Sequence, residues 1–474
     1  MNFKIETKSK KILGDMLTPV GVYLKLRDKF PYTVMLESAE YHGMEHGFSV
    51  IACDAVASFT LDEGHVRQTF PDGSVESFDL DFPKQAVQKL QDFTKRFDAP
   101  VSTYPFISGG LFGHITYDSV QYFEDIEIQA KSTENAIPQM VYRAYRFVIV
   151  FNHFKDEVFL FEHDYGSRRS DISQKMGMNL DSLEAVVCAP KMATFSFRAS
   201  DAETSNLTDD QMRQTIETCI GHCLRGDVFQ IVPSRRFSRK FTGDDFNLYR
   251  ALRSVNPSPY LFFFDFGSYR IFGSSPEKQI FIKDGHAEIH PIAGTFRRTG
   301  DDVKDAELAR QLAADPKESA EHVMLVDLAR NDLSRSCDTV QVETYKEAQF
   351  FSHVIHLVSK VTGRMSIGTN PLQLVADTFP AGTLSGAPKH NAMTIIDRLE
   401  TTNRSIYGGA LGHLSFNGDF NHCIAIRTFL SKNNTLFYQA GMGVVAKSNV
   451  ESEMQEVQSK LAALRMAIEL ANEL

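Results

Sequence analysis

The chain has 474 residues, 43% of them hydrophobic and 23% charged, a composition typical of soluble globular proteins rather than disordered or fibrous ones. The formal net charge of −10 argues against general nucleic-acid binding, which requires a basic surface. No apolar run approaches the roughly 20 residues that span a bilayer, and the first residues lack the apolar core of a signal peptide. We therefore predict a cytoplasmic protein that contacts neither nucleic acid nor membrane.

A chain of this length exceeds one ordinary hydrophobic core, which predicts two domains. The first part, to about residue 164, alternates short β-rich runs with turn signals. A helix is predicted over residues 171–187, and the polar stretch 198–208 is typical of a linker. The predicted domains therefore cover residues 1–200 and 201–474.

The second domain opens with a helix whose two ends are both marked in the sequence. Thr208 and Gln211 form a capping box, and Gly226 ends the helix as the residue after its last turn. Long β runs interrupted by helices follow, which predicts an α+β fold rather than an alternating βαβ sheet. Strands are predicted at residues 229–238, 260–266, 270–272, 279–283 and 287–292, and helices at residues 305–314, 316–331, 371–377 and 451–473.

The six cysteines form no CxxC pair, so we expect free thiols. Cys219 and Cys223 lie four residues apart on a predicted helix, a spacing that a metal site could use. Two small buried side chains on one helix face are the simpler interpretation, and we favour it.

Two Glu-x-x-Glu pairs are candidates for a metal site. Glu318 and Glu321 form one pair, and Glu453 and Glu456 form the other. Residues three apart on a helix share a face, so each pair projects two carboxylates in one direction. Magnesium accepts one or two protein carboxylates together with water and substrate oxygens. Spacing alone nevertheless favours two solvated helix faces, because this pattern is common there.

Eight motifs that occur in order along the chain favour the metal site over two solvated helix faces. Together they resemble the signature of the chorismate-utilising enzymes, and MLESAE at residues 35–40 with NPSPY at 256–260 further resembles anthranilate synthase component I, the large chorismate-binding subunit. The eight are SSPE (274–277), PIAGT (291–295), DPKESAEHVMLVDLARNDLSR (315–335), HVIHLVSKVTG (353–363), FPAGTLSGAPK (379–389), IYGGALG (406–412), IAIRT (424–428) and AGMGVVAKS (440–448).

The resemblance implies a fold and a reaction. The fold is the chorismate-utilising enzyme fold, a layered α/β/β/α sandwich of large, mostly antiparallel sheets flanked by helices. Residues 1–200 would form the regulatory, partner-contacting domain, and residues 201–474 the catalytic domain. The reaction is the magnesium-dependent conversion of chorismate and ammonia to anthranilate and pyruvate, which begins tryptophan biosynthesis.

Two positions distinguish among the reactions of the family. Relatives that hydrate chorismate to isochorismate have a lysine where this chain has Gln230, and a glutamine cannot deprotonate water, although its carbonyl can accept hydrogen bonds from ammonia. Relatives that make aminodeoxychorismate have a nucleophilic lysine where this chain has Ala293. Both positions favour anthranilate as the product.

The resemblance also implies catalytic roles. Glu321 and Glu456 are the expected magnesium ligands, with Glu318 and Glu453 holding metal-bound water. Glu277 is the expected general acid for the departing hydroxyl, which requires a protonated carboxyl and therefore a pKa that nearby like charges raise. His356 resembles the histidine associated with loss of pyruvate, and a hydrogen-bonded core histidine is the alternative.

Chorismate carries two carboxylates, and cations, hydroxyls and exposed peptide groups suit them. Arg427 offers a planar fork and Tyr407 a hydroxyl, while Gly441 and Gly443 let the backbone approach an oxyanion. Lys460 is a further carboxylate partner or a counter-charge at the magnesium site. The full set of predicted substrate-binding residues is Gly294, Thr295, Tyr407, Arg427, Gly441, Gly443 and Lys460.

A regulator and a partner subunit complete the implied assembly. A carboxylate and a hydroxyl beside an apolar wall suit tryptophan as a feedback inhibitor, and ordinary packing is the alternative. The sequence has no Gly-x-Cys-x-Gly elbow for a glutaminase, so ammonia is expected from a separate amidotransferase, anthranilate synthase component II, in a heterotetramer. The predicted inhibitor-binding residues are Glu37, Ser38, Pro259, Tyr260 and Leu261.

Two other functions stay open at this point. One is aminodeoxychorismate synthase component I of folate biosynthesis, which the absence of a lysine at Ala293 disfavours. The other is a non-catalytic, tryptophan-binding regulatory subunit, which the presence of all four candidate magnesium-site glutamates disfavours.

Overall fold

Two large antiparallel sheets occupy the middle of the fold. The computed structural model describes residues 2–38, 47–131, 134–166, 177–350 and 354–474. The strands in these ranges are β1 (Phe3–Lys4), β2 (Glu6–Leu13), β3 (Val34–Glu37), β4 (Phe48–Asp62), β5 (His65–Thr69), β6 (Val75–Asp79), β7 (Phe97–Asp98), β8 (Leu111–Ile115), β9 (Met140–Asn152), β10 (Glu157–Asp164), β11 (Phe197–Ser205), β12 (Gln230–Ile231), β13 (Ser234–Gly243), β14 (Tyr260–Asp265), β15 (Tyr269–Ser275), β16 (Lys278–Lys283), β17 (His286–Ile289), β18 (Ile292–Arg297), β19 (Cys337–Phe350), β20 (Val354–Met365), β21 (Gly386–Ala387), β22 (Ala410–Leu414), β23 (Phe420–Ile424), β24 (Thr428–Lys432), β25 (Thr435–Gly441) and β26 (Val444–Val445).

Strands β4 and β9 belong to both sheets and hold them together. The first half of β4 pairs with β3 and its second half with β5, while β9 runs beside β4 throughout. One sheet has the order β11-β13-β25-β24-β15-β14-β3-β4-β9-β10-β2. The other has the order β6-β5-β4-β9-β8-β22-β23-β16-β17-β20-β19, with β18 following β17 along β20. A β-bulge between Ala55 and Ala57 bends β4 between the two sheets.

Helices cover the outer faces of both sheets. Buried side chains of one helix group form a core with the first sheet, those of a second group form a core with the other sheet, and a third core lies between the sheets. This layering confirms the predicted α/β/β/α sandwich. The helices are α1 (Pro19–Arg27), α2 (Gln85–Thr94), α3 (Leu180–Val187), α4 (Asp209–Arg225), α5 (Asp245–Val255), α6 (Asp302–Ala314), α7 (Pro316–Ser334), α8 (Pro371–Thr378), α9 (Gly382–Ser385), α10 (Lys389–Leu399) and α11 (Val450–Ala471).

The alternation of side chains along β4 explains why the layers separate so cleanly. Successive residues of a strand point to opposite faces of the sheet. Val50 and Ala52 pack into the core between the sheets, whereas Ile51 and Cys53 pack against the helices. Helices α1, α4, α5 and α11 contribute to that outer core, and α2, α7 and α8 contribute to the one on the opposite side.

The predicted ends of α4 are confirmed, whereas the linker predicted just before this helix is wrong. The Thr208 side chain accepts a hydrogen bond from the Gln211 backbone in a reciprocal capping box, and Gly226 ends α4 with φ 80°. Residues 198–208 were expected to form a linker, but most of them form β11, which pairs with β13. β11 is polar because it lies at the sheet edge and is largely exposed. Residue 200 lies within β11, and the domain division there stays a prediction.

Other elements differ from expectation mainly at their ends. The strand expected over residues 229–238 is interrupted at Pro233, which has no N–H for a ladder, and forms β12 and β13. Of the helix expected over 171–187, residues 171–176 lie outside the described part, and α3 covers the end. Cys219 and Cys223 are free, buried residues of α4, as predicted. Among the described residues, no helix is long and apolar enough to cross a membrane.

Candidate active site

A bulge at Gly294 brings His356 and Glu318 to the same peptide. Ala293 pairs with Leu357 and Thr295 pairs with His356, so Gly294 is the extra residue of β18. Gly294 has φ 71°, and a Cβ there would lie 3.1 Å from Glu318 Oε2. Only glycine adopts this backbone conformation without strain.

His356 is a neutral histidine whose proton position is set by the bulge. Its Nδ1–H donates a 2.9 Å hydrogen bond to the carbonyl oxygen of Gly294, because a carbonyl can only accept. Burial lowers the pKa of His356 to about 4. The ring is therefore uncharged near neutral pH, and it has one defined tautomer.

Glu277 is a carboxyl whose pKa is raised by burial. It lies in the short connection between β15 and β16, and its Oε1 accepts a 2.8 Å hydrogen bond from Thr383 Oγ1. Burial raises the pKa of Glu277 to about 7, whereas Thr383 and the charges of Arg427 and Lys460 act in the opposite direction. The predicted direction of the shift is confirmed. The predicted cause is wrong, because desolvation and not a nearby like charge raises this pKa.

Arg427 lies close enough to Glu277 for the two charges to influence each other. Burial lowers the pKa of the Arg427 guanidinium, and the Glu277 carboxylate opposes that shift. Arg427 also has φ 49°, a conformation that costs a residue with a side chain roughly 1–3 kcal/mol. Its carbonyl accepts a hydrogen bond from Ser274 N–H, which helps to hold the strained backbone. Such strain is common at functional sites.

Gly441, the last residue of β25, lies against two of the other predicted residues, Tyr407 and Lys460. A Cβ on Gly441 would lie 3.0 Å from Tyr407 Oη. The Gly441 carbonyl accepts a 2.8 Å hydrogen bond from Lys460 Nζ, and the same ammonium lies 2.7 Å from Glu456 Oε1. Gly441 therefore links the candidate carboxylate binder Tyr407 to the candidate metal ligand Glu456.

Gly443, two residues further on, lies against Gln230 and Glu321. A Cβ on Gly443 would lie 2.5 Å from Gln230 Nε2, which donates a 3.0 Å hydrogen bond to Glu321 Oε1. Gln230 is buried, and its Oε1 has no hydrogen-bond partner among the described residues. A buried carbonyl oxygen without a partner is unfavourable by about 1–3 kcal/mol, so this atom is a candidate contact for a small donor.

The four predicted magnesium-site glutamates come from α7 and α11 but are not all in mutual contact. Glu321 lies beside Gly443, and Glu456 is paired with Lys460, which is bonded to the Gly441 carbonyl. Glu318 lies beside Gly294, and Glu453 is buried in the first turn of α11. In the described ranges, no three His, Cys, Asp or Glu side chains converge as a metal cluster. Magnesium uses one or two protein carboxylates, and Glu321 and Glu456 supply that number of oxygen donors. The four-carboxylate site stays a prediction.

The predicted inhibitor-binding residues lie on two paired strands or next to their ends. Glu37 of β3 is opposite Leu261 of β14, so Ser38 lies beside the segment that contains Pro259 and Tyr260. Residues 39–40 of MLESAE lie outside the described part. The Glu37 carboxylate accepts hydrogen bonds from Tyr249 Oη at 2.5 Å and from Arg253 Nε at 3.0 Å. A bound α-ammonium would therefore share this carboxylate with two protein groups.

A buried ion pair that we did not predict lies next to Gly441 at the end of β25. Arg404 and Glu400 are 2% and 6% exposed, and Arg404 donates to both oxygens of the Glu400 carboxylate. Glu400 Oε1 also accepts hydrogen bonds from the N–H and Oγ of Ser234, whose Cβ lies next to Gly441. The Arg404 guanidinium lies 5.7 Å from the centre of the Tyr407 ring. A Glu and an Arg four residues apart just before IYGGALG are the signal for this pair in the sequence.

Comparison with known proteins supplies the class of the chain. The family described as chorismate binding enzyme matches residues 41–466. The chain belongs to that family. Anthranilate synthase component 1 of Aquifex aeolicus is 34% identical over 486 residues, covering 100% of this chain and 96% of the relative. The protein of that name from Mycolicibacterium smegmatis is 36% identical, covering 98% and 90%.

A solved structure supports the same assignment. The crystal structure of anthranilate synthase component I from Streptococcus pneumoniae TIGR4 superposes with a TM-score of 0.78 at 34% identity, covering 97% of this chain and 99% of that one. The isochorismate synthase MenF from Escherichia coli, at 18% identity and a TM-score of 0.74, shows the shared fold. The predicted resemblance to anthranilate synthase component I, and to the enzymes of this family, is confirmed.

Replacing Glu400 tests the contribution of the buried ion pair to stability. In Glu400→Gln the Arg404 guanidinium stays buried without a counter-charge, so the free energy of unfolding is expected to fall by about 3–5 kcal/mol. Urea unfolding followed by far-UV circular dichroism measures this loss. The exposed pair of Glu451 with Arg213, 2.8 Å apart, provides the control, and Glu451→Gln should change the free energy by less than about 1 kcal/mol. Equal effects of the two substitutions would contradict the prediction.

The raised pKa of Glu277 predicts how stability depends on pH. The folded carboxyl keeps its proton up to about pH 7, whereas the unfolded chain releases it near the usual value of 4.5. The folded state therefore binds more protons between these pH values, and stability falls as pH rises through them. Glu277→Gln removes this loss, so its melting temperature should exceed that of the parent at pH 8 and approach it at pH 4.

Glu288→Gln is a control, because the pKa of Glu288 is shifted in the opposite direction from that of Glu277. Hydrogen bonds from His290 and Lys360 lower the pKa of Glu288 to about 2. The stability from Glu288 is thus present above pH 4.5 and lost as pH falls towards 2. Glu288→Gln should melt below the parent at pH 8. Differential scanning calorimetry from pH 4 to 8 distinguishes the two variants, and a Glu277→Gln curve parallel to that of the parent would rule out the shift.

Proposed function

We propose that the chain converts chorismate and ammonia to anthranilate and pyruvate, as the first reaction of tryptophan biosynthesis. The Gln230 side chain carries this proposal. Its Nε2 is bound to Glu321, and its buried Oε1 has no partner among the described residues. A carboxamide oxygen accepts hydrogen bonds from ammonia but cannot take a proton from water, which favours amination over hydration. Ala293 offers no nucleophile, which disfavours aminodeoxychorismate as the product.

Glu277 is proposed as the general acid for the departing hydroxyl. A carboxyl with a pKa of about 7 is protonated in much of the enzyme at neutral pH and can release that proton readily. Arg427 lies near enough to influence its charge, so a substrate carboxylate bound by Arg427 would lie next to the acid. Tyr407, Gly441 and Gly443 are proposed to bind the remaining anionic oxygens.

His356 is proposed to act during loss of pyruvate. Its Nδ1–H is bound to Gly294, which orients the ring and leaves the neutral imidazole as the form present near pH 7. A neutral imidazole can accept a proton, as a role in elimination requires. Gly294 and Thr295 are proposed to contact the substrate from the same bulge.

Magnesium is the proposed cofactor, and the residues present fit it. Glu321 and Glu456 offer carboxylate oxygens from two helices beside one turn, a donor set of the kind that magnesium accepts. Glu318 and Glu453 are proposed to hold metal-bound water. When bound, the metal would neutralise the ring carboxylate of chorismate and withdraw electron density from the ring. Lys460, which is paired with Glu456, would act as a further counter-charge at this site.

A second subunit is proposed to supply ammonia. The relatives are named component 1, which implies a further component. A glutamine amidotransferase, anthranilate synthase component II, fits the absence of a glutaminase elbow from the sequence. We propose a cytoplasmic heterotetramer of the two kinds of chain. L-Tryptophan is proposed to inhibit it by binding where Glu37 and Ser38 lie beside Pro259, Tyr260 and Leu261.

The product formed from chorismate tests the proposed function. The purified chain with chorismate, magnesium and an ammonium salt at mildly alkaline pH should generate anthranilate fluorescence without any partner. Chromatography of the same mixtures identifies other products. Isochorismate or aminodeoxychorismate in place of anthranilate would refute the proposal, and the absence of any turnover would favour a regulatory subunit. Added L-tryptophan should reduce the rate, and an unchanged rate would refute the proposed feedback.

Removing Glu456 tests the proposed metal site. Glu456→Ala should lower the rate of anthranilate formation by about 100-fold or more, because a catalytic metal contributes several kcal/mol to the transition state. Isothermal titration calorimetry should show weaker magnesium binding, while circular dichroism stays unchanged. Glu451→Ala on the same helix is the matched control and should retain parental binding and activity. Normal magnesium binding by Glu456→Ala would remove it from the site.

A further inference from the structure

A small cavity lies beside Glu277, between α7 and the connection from β15 to β16. Its walls include Glu277, Gln279, Thr378, Thr383 and Asp332, together with apolar residues of α7, and its volume is about 40 Å³. We call this cavity the rear chamber. Asp332 lies eleven residues after Glu321 on α7, which at about 1.5 Å per residue corresponds to roughly 16 Å along the helix. Leu325, one turn after Glu321, also lines the chamber, which therefore follows α7 from Leu325 to Asp332.

The polar groups of the rear chamber are arranged to bind water. Gln279 is only 3% exposed, its Nε2 donates a 3.2 Å hydrogen bond to Thr378 Oγ1, and its Oε1 has no partner in the described part of the chain. Thr383 donates to Glu277 and can also accept a hydrogen bond. A buried water needs about 10–15 Å³ and two to four polar neighbours, so the chamber has room for about three waters.

Glu277 interacts with two different groups of residues. It interacts electrostatically with Arg427, which is proposed to bind a substrate carboxylate. Its carboxyl also accepts a hydrogen bond from Thr383, which lines the rear chamber. Leu325, Leu328 and Ala329 form the apolar part of the chamber wall, and Lys278, His290 and Asp332 add polar groups that water there could also contact.

We propose that the rear chamber binds water, receives the water formed from the expelled hydroxyl, and returns a proton to Glu277. This inference rests on the proposed function. In the amination step the ring carbon–oxygen bond breaks with its electron pair on oxygen, and the Glu277 proton completes a water molecule. Ammonia forms the new carbon–nitrogen bond, and its nitrogen later releases one proton to solvent. Chamber water passes one proton back to Glu277, so each turnover consumes one ammonia and produces one water.

Two variants change the chamber without replacing any predicted site residue. Gln279→Met keeps the side-chain length but removes the acceptor oxygen, and Ala329→Leu fills part of the space. Each should lower kcat about tenfold, leave the KM for chorismate within twofold, and increase the solvent deuterium isotope effect on kcat. Gln68→Met replaces another buried glutamine, and Ala86→Leu overpacks the same core from α2, so both controls should keep parental kinetics. A role in packing alone would give the test variants and controls the same kinetics.

A crystal structure of the unreacted chain tests the chamber independently of turnover. Ordered water within hydrogen-bonding distance of Gln279 Oε1 and Thr383 Oγ1 is the expected result, with that water absent from Gln279→Met. A dry chamber, or a kcat within twofold of the parent in Gln279→Met, would overturn the inference. If Ala329→Leu does not fold, Gln279→Met and the crystal structure still decide. Failure of the proposed function is distinguishable, because it would appear as a different product from the parent enzyme.

Discussion

The opposition between burial and positive charge at Glu277 is the constraint on which the candidate site depends. Burial favours the neutral carboxyl, whereas Arg427 and Lys460 favour the carboxylate, and the resulting pKa is about 7. A more exposed acid would lose its proton below neutral pH, and one without nearby cations would hold it too tightly to donate. A binding site for the proposed dianionic substrate needs such cations, so the groups proposed to attract that substrate would also adjust the pKa of the acid.

Irregular backbone places most of the groups around this acid. The bulge at Gly294 orients His356, the positive φ of Arg427 turns its chain into β24, and the turn after β25 passes close to Tyr407 and Gln230. Of these, the positive φ of Arg427 is unfavourable in isolation. Continuous sheets on both sides and the buried pair of Arg404 with Glu400 provide the stability that keeps them in place. The regular part of the fold thus supports a site formed from its irregular parts.

Features set by neighbouring residues in the chain could be predicted from the sequence, whereas features set by contacts between distant residues could not. The helix that begins after Thr208 could be bounded from the sequence, because its capping box and terminal glycine are local signals. The edge strand β11 was mistaken for a linker, because its polar side chains are explained only by its position at the edge of a sheet.

The candidate site shows the same division. Motif resemblance identified Glu277 and Gln230, and it anticipated a raised pKa for Glu277. The hydrogen bond from Thr383 to Glu277 joins residues 106 apart in the chain, so no local sequence pattern predicts it. The part played by burial in the pKa of Glu277 likewise depends on packing from several elements, and periodicity does not reveal it.

The hydrogen bond between Gln230 and Glu321 links the residue proposed to select the nucleophile to a proposed magnesium ligand. Rotating the amide by half a turn would place its oxygen against a carboxylate oxygen, so the existing orientation is electrostatically favoured. A lysine at this position would bring a full positive charge to the same carboxylate and compete with a dication for it. Converting such a scaffold from amination to hydration therefore involves a compensating adjustment among the acidic side chains, in addition to the exchange of one residue.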